Sequence, residues 1–296
     1  MATPTDWLEG ARLRTLPAAM APVILGTAAA VHIGHWSAPR ALLALGVALL
    51  LQIGVNFSND YSDGIRGTDD HREGPPRLTG GGLASPRTVL AAALGCFGAA
   101  TVLGLWLVVL SGQWVLVAVG ACAVAAAWFY TGGRHPYGYL GVGVSEVMVF
   151  VFFGLVATVG TTVTQVPSAP WWLWCLASGT GLLSVSLLMV NNIRDIPTDR
   201  EAGKRTVAVR LGERGSRTTY VALLLAAVLL AGLALVTVDT GTAIAFVPVL
   251  LLGAAVPARR VVGGATVRAL IPALRDTGLY TLAWSLVVGA VLVVTA

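Results

Sequence analysis

Apolar residues run in long, nearly unbroken blocks along this chain, and polar residues are confined to the joints between them. Nine blocks stand out, at about 15–34, 40–58, 87–110, 114–131, 139–162, 171–191, 218–237, 241–257 and 278–295. Blocks of roughly 17–25 residues, wound as helix, cross a ~30 Å hydrocarbon layer. The bilayer interior offers backbone amides no water, so only helices and closed barrels span it. Continuous apolar runs exclude the alternating pattern of a barrel strand. The pattern predicts an all-α polytopic membrane protein of nine transmembrane helices, a single domain over 1–296.

Composition agrees, with 56% hydrophobic and only 11% charged residues against roughly a quarter charged in a soluble domain. The net charge of +5 does not point to nucleic acid, because the basic residues sit between apolar blocks, where they act as topology signals. With the N-terminus cytoplasmic and nine spans, 18 of the 19 Lys and Arg residues fall on the cytoplasmic side and only Arg40 falls outside. The prediction is a multi-pass plasma-membrane protein, N-terminus in and C-terminus out. Trp36, Trp114, Trp171, Trp172 and Trp174 fall at outer span ends, where an interfacial aromatic belt is expected. Cys96, Cys122 and Cys175 lie within apolar runs without ligand spacing, and His32, His35, His71 and His135 are scattered. Asp6, Glu9, Arg12 and Arg14 at the start argue against a cleavable signal peptide. Both long connections, 59–86 and 192–217, are cytoplasmic on this topology and are expected to form a functional cap.

The candidate chemistry lies where these connections begin. The second span ends in Asn59-Asp60-Tyr61-Ser62-Asp63, followed by Asp69 and Asp70, and the sixth ends in Asn191-Asn192-Ile193-Arg194-Asp195, followed by Asp199. Nine of the 14 acidic residues fall in these two segments and the loops after them. Carboxylates at the end of an apolar helix are costly unless paired or bound to a cation. Asn59 and Asp63 are four apart, as are Asn191, Asp195 and Asp199, so each set shares one helix face. A constant offset of 132 residues relates the two sets and suggests an internal duplication, about 1–135 and 136–296. Two facing groups of oxygen ligands suit Mg²⁺, which keeps waters and bridges to phosphate. Interleaved Arg66, Arg72, Arg77, Arg194, Arg200, Lys204 and Arg205 suit the outer oxygens of a diphosphate. In so apolar a body, that diphosphate is expected to carry an isoprenoid tail lying in the lipid bilayer.

At these residues the chain resembles the UbiA superfamily of intramembrane aromatic prenyltransferases. Within it the likeness is to the 1,4-dihydroxy-2-naphthoate polyprenyltransferases of menaquinone synthesis. The stretches that carry it are Arg14-Thr15-Leu16-Pro17, Asn59-Asp60-Tyr61 with Asp63, Tyr130-Thr131-Gly132-Gly133, Gly138-Tyr139-Leu140-Gly141, Glu146 with Phe152-Phe153-Gly154, and Asn191 through Asp199 with Gly203-Lys204-Arg205-Thr206. Hydroxybenzoate-type members carry an Asp four residues after the position of Asp63. Here that residue is Gly67, with Asp69 two further on, as in the naphthoate branch.

The resemblance implies an Mg²⁺-dependent transfer from a polyprenyl diphosphate to 1,4-dihydroxy-2-naphthoate with loss of CO₂, on the cytoplasmic side. Asn59, Asp63, Asp195 and Asp199 are then expected to hold Mg²⁺–diphosphate, with Asp60 or Asp69 completing the set. Arg77, Lys204 and Arg205 are assigned to phosphate oxygens, and Asn192 to substrate binding. Tyr61, Tyr130 and Tyr139 are assigned either to a pocket that favours a cation or to packing. Glu146 is read either as touching the acceptor or Arg134, or as a carboxylate at a helix end. Arg12 and Arg14 either grip the acceptor carboxylate or anchor the first span. The loop 74–82 is either an anion-binding nest or a plain turn. Two alternatives stand beside this reading. A UbiA-type enzyme with another acceptor, such as 4-hydroxybenzoate, homogentisate or a porphyrin-type ring, would share the Asp motifs. A transporter would instead place ionisable groups near the midplane of several spans, and would release no pyrophosphate.

Overall fold

The structure, a computed structural model, describes residues 2–67, 77–134, 136–265 and 267–296, and every described regular element is helical. A short helix α1 (Pro4–Gly10) leads through a 3₁₀ turn into α2 (Leu16–Ile33). Then follow α3 (Ala38–Ile65), α4 (Pro86–Ser111) and α5 (Val115–Phe129). A rod over Val144–Val163 comprises α6 (Val144–Val149), a π-helical segment (Phe150–Val156) and α7 (Ala157–Val163). Last come α8 (Trp171–Glu201), α9 (Val207–Val238), α10 (Thr240–Val262) and α11 (Ile271–Val294). Among the described residues, eight helices are long and apolar enough to cross a membrane.

Against the nine expected spans, the described residues give eight helices of full length and one shorter apolar helix. The block at 114–131 is realised as the 15-residue α5, which at ~1.5 Å per residue is short for a ~30 Å layer. It stops at Phe129 because the chain then turns back, and Thr131 and Gly133 give their carbonyls to the Arg66 guanidinium at the end of α3 (both 2.5 Å).

The expected long connection at 192–217 is mostly helix. Helix α8 runs through Asp195 and Asp199 to Glu201, and α9 starts at Val207, where Thr206 caps it by accepting the Val209 N–H. Helix α3 likewise extends past the apolar block to Ile65 and is closed by Gly67, whose left-handed φ of 72° no Cβ-bearing residue adopts cheaply. Both acidic motifs therefore lie on continuous helix. The described end of the first connection, 77–85, is a tight turn that ends in the Ser85 cap of α4.

Helix α8 is the axis of the bundle, packed against α9, α11, α2 and the π-helical segment. Its closest approach is to Gly154, where a Cβ would lie 2.4 Å from the Cα of Gly181. Small residues that let backbones touch are the usual means of helix association in lipid. Buried hydroxyls follow the same logic. Thr161, Thr162, Thr180, Ser184, Thr277 and Thr281 each donate to the carbonyl four residues back, which pairs these hydroxyls within their own helices. The outer surface carries Leu42, Val102, Leu229, Ile244 and Leu252, as a lipid-facing surface should. At the end remote from the acidic motifs, Arg40 donates to the last carbonyls of α4 and α7, Leu110 and Thr164, and Trp36, Trp114, Trp171 and Trp174 stand exposed.

One feature of the fold bears directly on the loop before α4. Asp60, fully buried, accepts the N–H groups of Leu78 (3.0 Å) and Thr79 (2.8 Å) on its two oxygens. Leu78, 1% exposed, is plugged beside Phe57, Val89 and Ala93. The 77–84 turn is thus clasped to α3 by one carboxylate and one side chain. An Asp60→Asn change presents an amide donor where two N–H groups need an acceptor, and should cost about 1–3 kcal/mol locally. Amide hydrogen exchange at Leu78 and Thr79 is expected to speed up about ten- to a hundredfold. Unchanged exchange would show that the clasp does not hold the turn.

Candidate active site

The site is built where α3 and α8 end on the same face of the bundle. From α3, Asp63 accepts a short hydrogen bond from the Tyr139 hydroxyl. Tyr139 belongs to a 3₁₀ turn (Tyr137–Tyr139) in the connection between α5 and α6. Its ring lies under two cations: Lys204 Nζ is 4.8 Å from the ring centroid and the Arg66 guanidinium carbon 5.8 Å. Lys204 in turn stands 3.9 Å from Asp199 Oδ1 and donates its backbone N–H to the Asp199 carbonyl. The chain Asp63–Tyr139–Lys204–Asp199 joins the two acidic motifs in one place, although they are 132 residues apart in register.

Backbone contacts hold this junction. The Arg205 N–H donates to the Tyr139 carbonyl at 3.3 Å, and Arg210 donates to the Leu140 carbonyl. Gly141 meets the Arg205 carbonyl so closely that a Cβ there would lie 1.5 Å from its oxygen. Any side chain at 141 would push the two connections apart.

The other expected site residues divide by what they touch. Asn59 is buried and accepts the Thr131 hydroxyl at 2.7 Å, facing the same connection. Asp195 is forked by Arg194 (2.7 and 2.6 Å), and that guanidinium also donates to Asn191 (2.8 Å). Asn192 and Asp199 are buried on the same helix. Asp60, expected with the metal set, instead commits both oxygens to Leu78 and Thr79. Tyr61 packs into the Phe57–Leu78 cluster, which fits the packing alternative. Arg14 is exposed in the 3₁₀ turn before α2, and Arg134 and Arg205 are exposed at the site's margin. Arg77 begins the clasped turn, whose Gly81 N–H bonds to the Arg77 carbonyl. Asp69, Asp70 and Arg72, and with them the first part of the proposed nest at 74–82, lie outside the described residues.

Tyr130 follows α5 and is stacked edge-on against Tyr137 at 5.6 Å. Burial raises its hydroxyl's ionisation well above the tyrosine norm, and the charges of Glu146, Tyr137, Asp63 and Asp199 raise it further. Tyr137 donates to the Ala126 carbonyl (2.8 Å), and burial pushes it up to about 12. Sequence reasoning missed Thr131, Tyr137 and the structural role of Arg66. It also missed a buried polar set one to two turns before Asn59 on α3, where Gln52 and Asn56 donate to Thr15 and Asn56 to the Ala11 carbonyl. An acidic motif advertises itself in sequence, whereas a single Thr or Tyr in a connection does not.

The donors fit a hard cation in kind. Asn59, Asp63, Asp195 and Asp199 offer only oxygen. Among the described residues no three His, Cys, Asp or Glu side chains form a compact cage. Four oxygen donors spread over two helices suit an ion that takes its remaining ligands from water and a bridging phosphate.

Comparison with known proteins identifies the family and the fold. A family model described as the UbiA prenyltransferase family matches residues 19–268. A relative from Mycobacterium tuberculosis named 1,4-dihydroxy-2-naphthoate octaprenyltransferase is 52% identical, covering 99% of this chain and 98% of that one. The fold is similar to the apo structure of a UbiA homologue from Aeropyrum pernix K1 (TM-score 0.67, 17% identity, 93% and 97% of the two chains). It is also similar to a UbiA homologue from Archaeoglobus fulgidus solved bound to DMAPP and Mg²⁺ (TM-score 0.64, 15% identity, 94% and 98%). With a family match over most of its length and a relative of this identity along nearly all of it, the chain belongs to the UbiA prenyltransferase family.

Proposed function

We propose that this protein transfers a polyprenyl group from an all-trans-polyprenyl diphosphate to 1,4-dihydroxy-2-naphthoate. Diphosphate and CO₂ are released, and the product is demethylmenaquinol, which oxidises to demethylmenaquinone. The observation that carries the proposal is the Asp63–Tyr139–Lys204–Asp199 chain, which makes one polar site from two acidic motifs at the end of an apolar bundle. The acceptor and donor are carried over from the mycobacterial relative's name, and the diphosphate and metal from the Archaeoglobus homologue's ligands.

The residues that would hold Mg²⁺ are Asn59, Asp63, Asp195 and Asp199. Bound there, the ion would neutralise the diphosphate and assist its departure. Lys204 adds a positive charge next to Asp199, and Arg77 and Arg205 are assigned to the phosphate oxygens. The allylic C–O bond breaks with its electron pair leaving on the diphosphate. The faces of Tyr130 and Tyr139 favour the positive carbon left behind, and the apolar spans keep water from quenching it. The electron-rich ring attacks that carbon and forms the new C–C bond. The ring carboxylate then leaves as CO₂, returning its bonding pair to the ring and restoring aromaticity.

The finer topology belongs to the same proposal. Helix α5 counts as the fourth of nine spans, the N-terminus is cytoplasmic and the C-terminus outside. The acidic face is then cytoplasmic, capped by the 77–85 turn and the 202–206 turn. Two halves, about 1–135 and 136–296, each contribute one motif helix. The extensive packing of α3 on α4 and of α8 on α9 supports that division, since each motif helix rests on the helix after it.

Two outcomes are expected. Purified in detergent with Mg²⁺ and a polyprenyl diphosphate, the protein should convert 1,4-dihydroxy-2-naphthoate to its prenylated product with one CO₂ per turnover, and addition of EDTA should stop it. Product mass and CO₂ release measure this. Prenylation of 4-hydroxybenzoate instead would overturn the acceptor and keep the reaction class. The second outcome concerns the site itself: Asp63→Ala and Asp195→Ala should each lower kcat at least ~10³-fold while gel filtration and melting stay near wild type. Near-normal turnover in both purified variants would sink the assignment of these carboxylates.

A further inference from the structure

Among the described residues, the buried or half-buried carboxylates around the site are accounted for, with one exception. Asp60 accepts two backbone N–H groups, Asp63 accepts the Tyr139 hydroxyl, Asp195 is forked by Arg194, and Asp199 faces Lys204. Glu146 stands in the first turn of α6, and its Oε2 is buried with no hydrogen-bond partner in the structure. A buried acceptor atom left unsatisfied costs about 1–3 kcal/mol, and such atoms in native proteins call for an explanation. The missing partner must be a donor.

Its surroundings say which kind of donor fits. Helix α6 packs against both the Tyr137–Tyr139 turn and α8, which puts Glu146 on the side of the bundle where Asp63 and Asp199 meet, and the charges of all three carboxylates bear on Tyr130. Asp63 and Asp199 belong to the diphosphate end of the proposed reaction. The attacking ring must come within bonding distance of the carbon attached to that diphosphate. A ring seated there would bring a hydroxyl toward the rim that Glu146 forms. The titratable and charged groups around this space are Tyr130, Tyr137 and Tyr139 from the α5–α6 connection, Asp63 and Arg66 from α3 and its end, Asp199 from α8, and Lys204 from the turn after it.

We propose that Glu146 is the catalytic base that takes the proton from a ring hydroxyl of the aromatic acceptor. The O–H bond breaks, the proton goes to Glu146 Oε2, and the electron pair stays on the ring oxygen. That raises electron density at the ring carbon that attacks the allylic cation. After the C–C bond has formed and CO₂ has left, the neutral Glu146 returns the proton to the ring oxygen, giving the quinol and restoring the carboxylate. Asp63, Asp195 and Asp199 serve the diphosphate, Asp60 holds the turn before α4, and Glu146, with its Oε2 unpartnered, serves the ring. This inference rests on the prenyl-transfer reading above.

The test is kcat against pH for wild type, Glu146→Gln and Glu146→Asp, at saturating Mg²⁺ and prenyl diphosphate, under anaerobic conditions that keep the acceptor reduced. General-base catalysis contributes about 10²–10⁴-fold, so Glu146→Gln should lose at least ~10²-fold at neutral pH. It should recover as pH rises and the acceptor hydroxyl ionises in solution, with the KM for prenyl diphosphate unchanged. Glu146→Asp, which keeps the carboxylate, should retain part of the activity and the wild-type pH profile. A Glu146→Gln enzyme within about threefold of wild-type kcat at neutral pH, where ~10²-fold is expected, would overturn the proposal. So would a loss equal at every pH, or a Glu146→Asp profile matching that of Glu146→Gln. Wild-type protein that makes no prenylated naphthoate and no CO₂ would instead remove the reading beneath it.

Discussion

Charge at the end of an apolar helix must be compensated, and the rest of this structure depends on how that is done. A bare carboxylate at the edge of a hydrocarbon layer is costly. The four aspartates on α3 and α8 have each been given a partner: a tyrosine hydroxyl for Asp63, a guanidinium for Asp195, an ammonium for Asp199, and two backbone N–H groups for Asp60. Arg194 lies on α8 itself, but the other partners come from other elements, so compensation becomes architecture. Tyr139 brings in the α5–α6 connection, Lys204 the turn after α8, and Leu78 the turn before α4.

The same constraint explains the bundle beneath. Helices in lipid gain little from burying one apolar surface against another, so they associate through close packing and hydrogen bonds. Gly154 against Gly181 lets the π-helical segment lie on α8, and buried threonines and serines close their own helices' hydroxyl demand. π-helical insertions occur often near functional sites, and this one directly follows the turn that carries Glu146.

Much of this was legible in the sequence. Apolar block length predicted the helices, because the bilayer imposes a length and forbids alternatives. The i, i+4 spacing of Asn59 with Asp63, and of Asn191 with Asp195 and Asp199, predicted two oxygen-rich faces, and the structure joins them at Tyr139 and Lys204. Three things escaped. The 192–217 stretch read as loop because it is polar, yet polarity at a membrane surface does not end a helix, whereas a turn such as 202–206 does. The block at 114–131 read as a full span because apolarity says nothing of where a chain turns back to deliver the Thr131 carbonyl. Asp60 read as a metal ligand because its neighbours do, and only the fold reveals that two loop N–H groups already face its oxygens.

The central claim is that two motifs 132 residues apart in register form one site. The most direct measurement is a double-mutant cycle on binding of a non-hydrolysable prenyl diphosphate analogue with Mg²⁺, using Asp63→Ala, Asp195→Ala and the combination. A shared site predicts strong non-additivity, with the double variant binding little worse than either single one. Losses that simply add, as for independent sites, would contradict it.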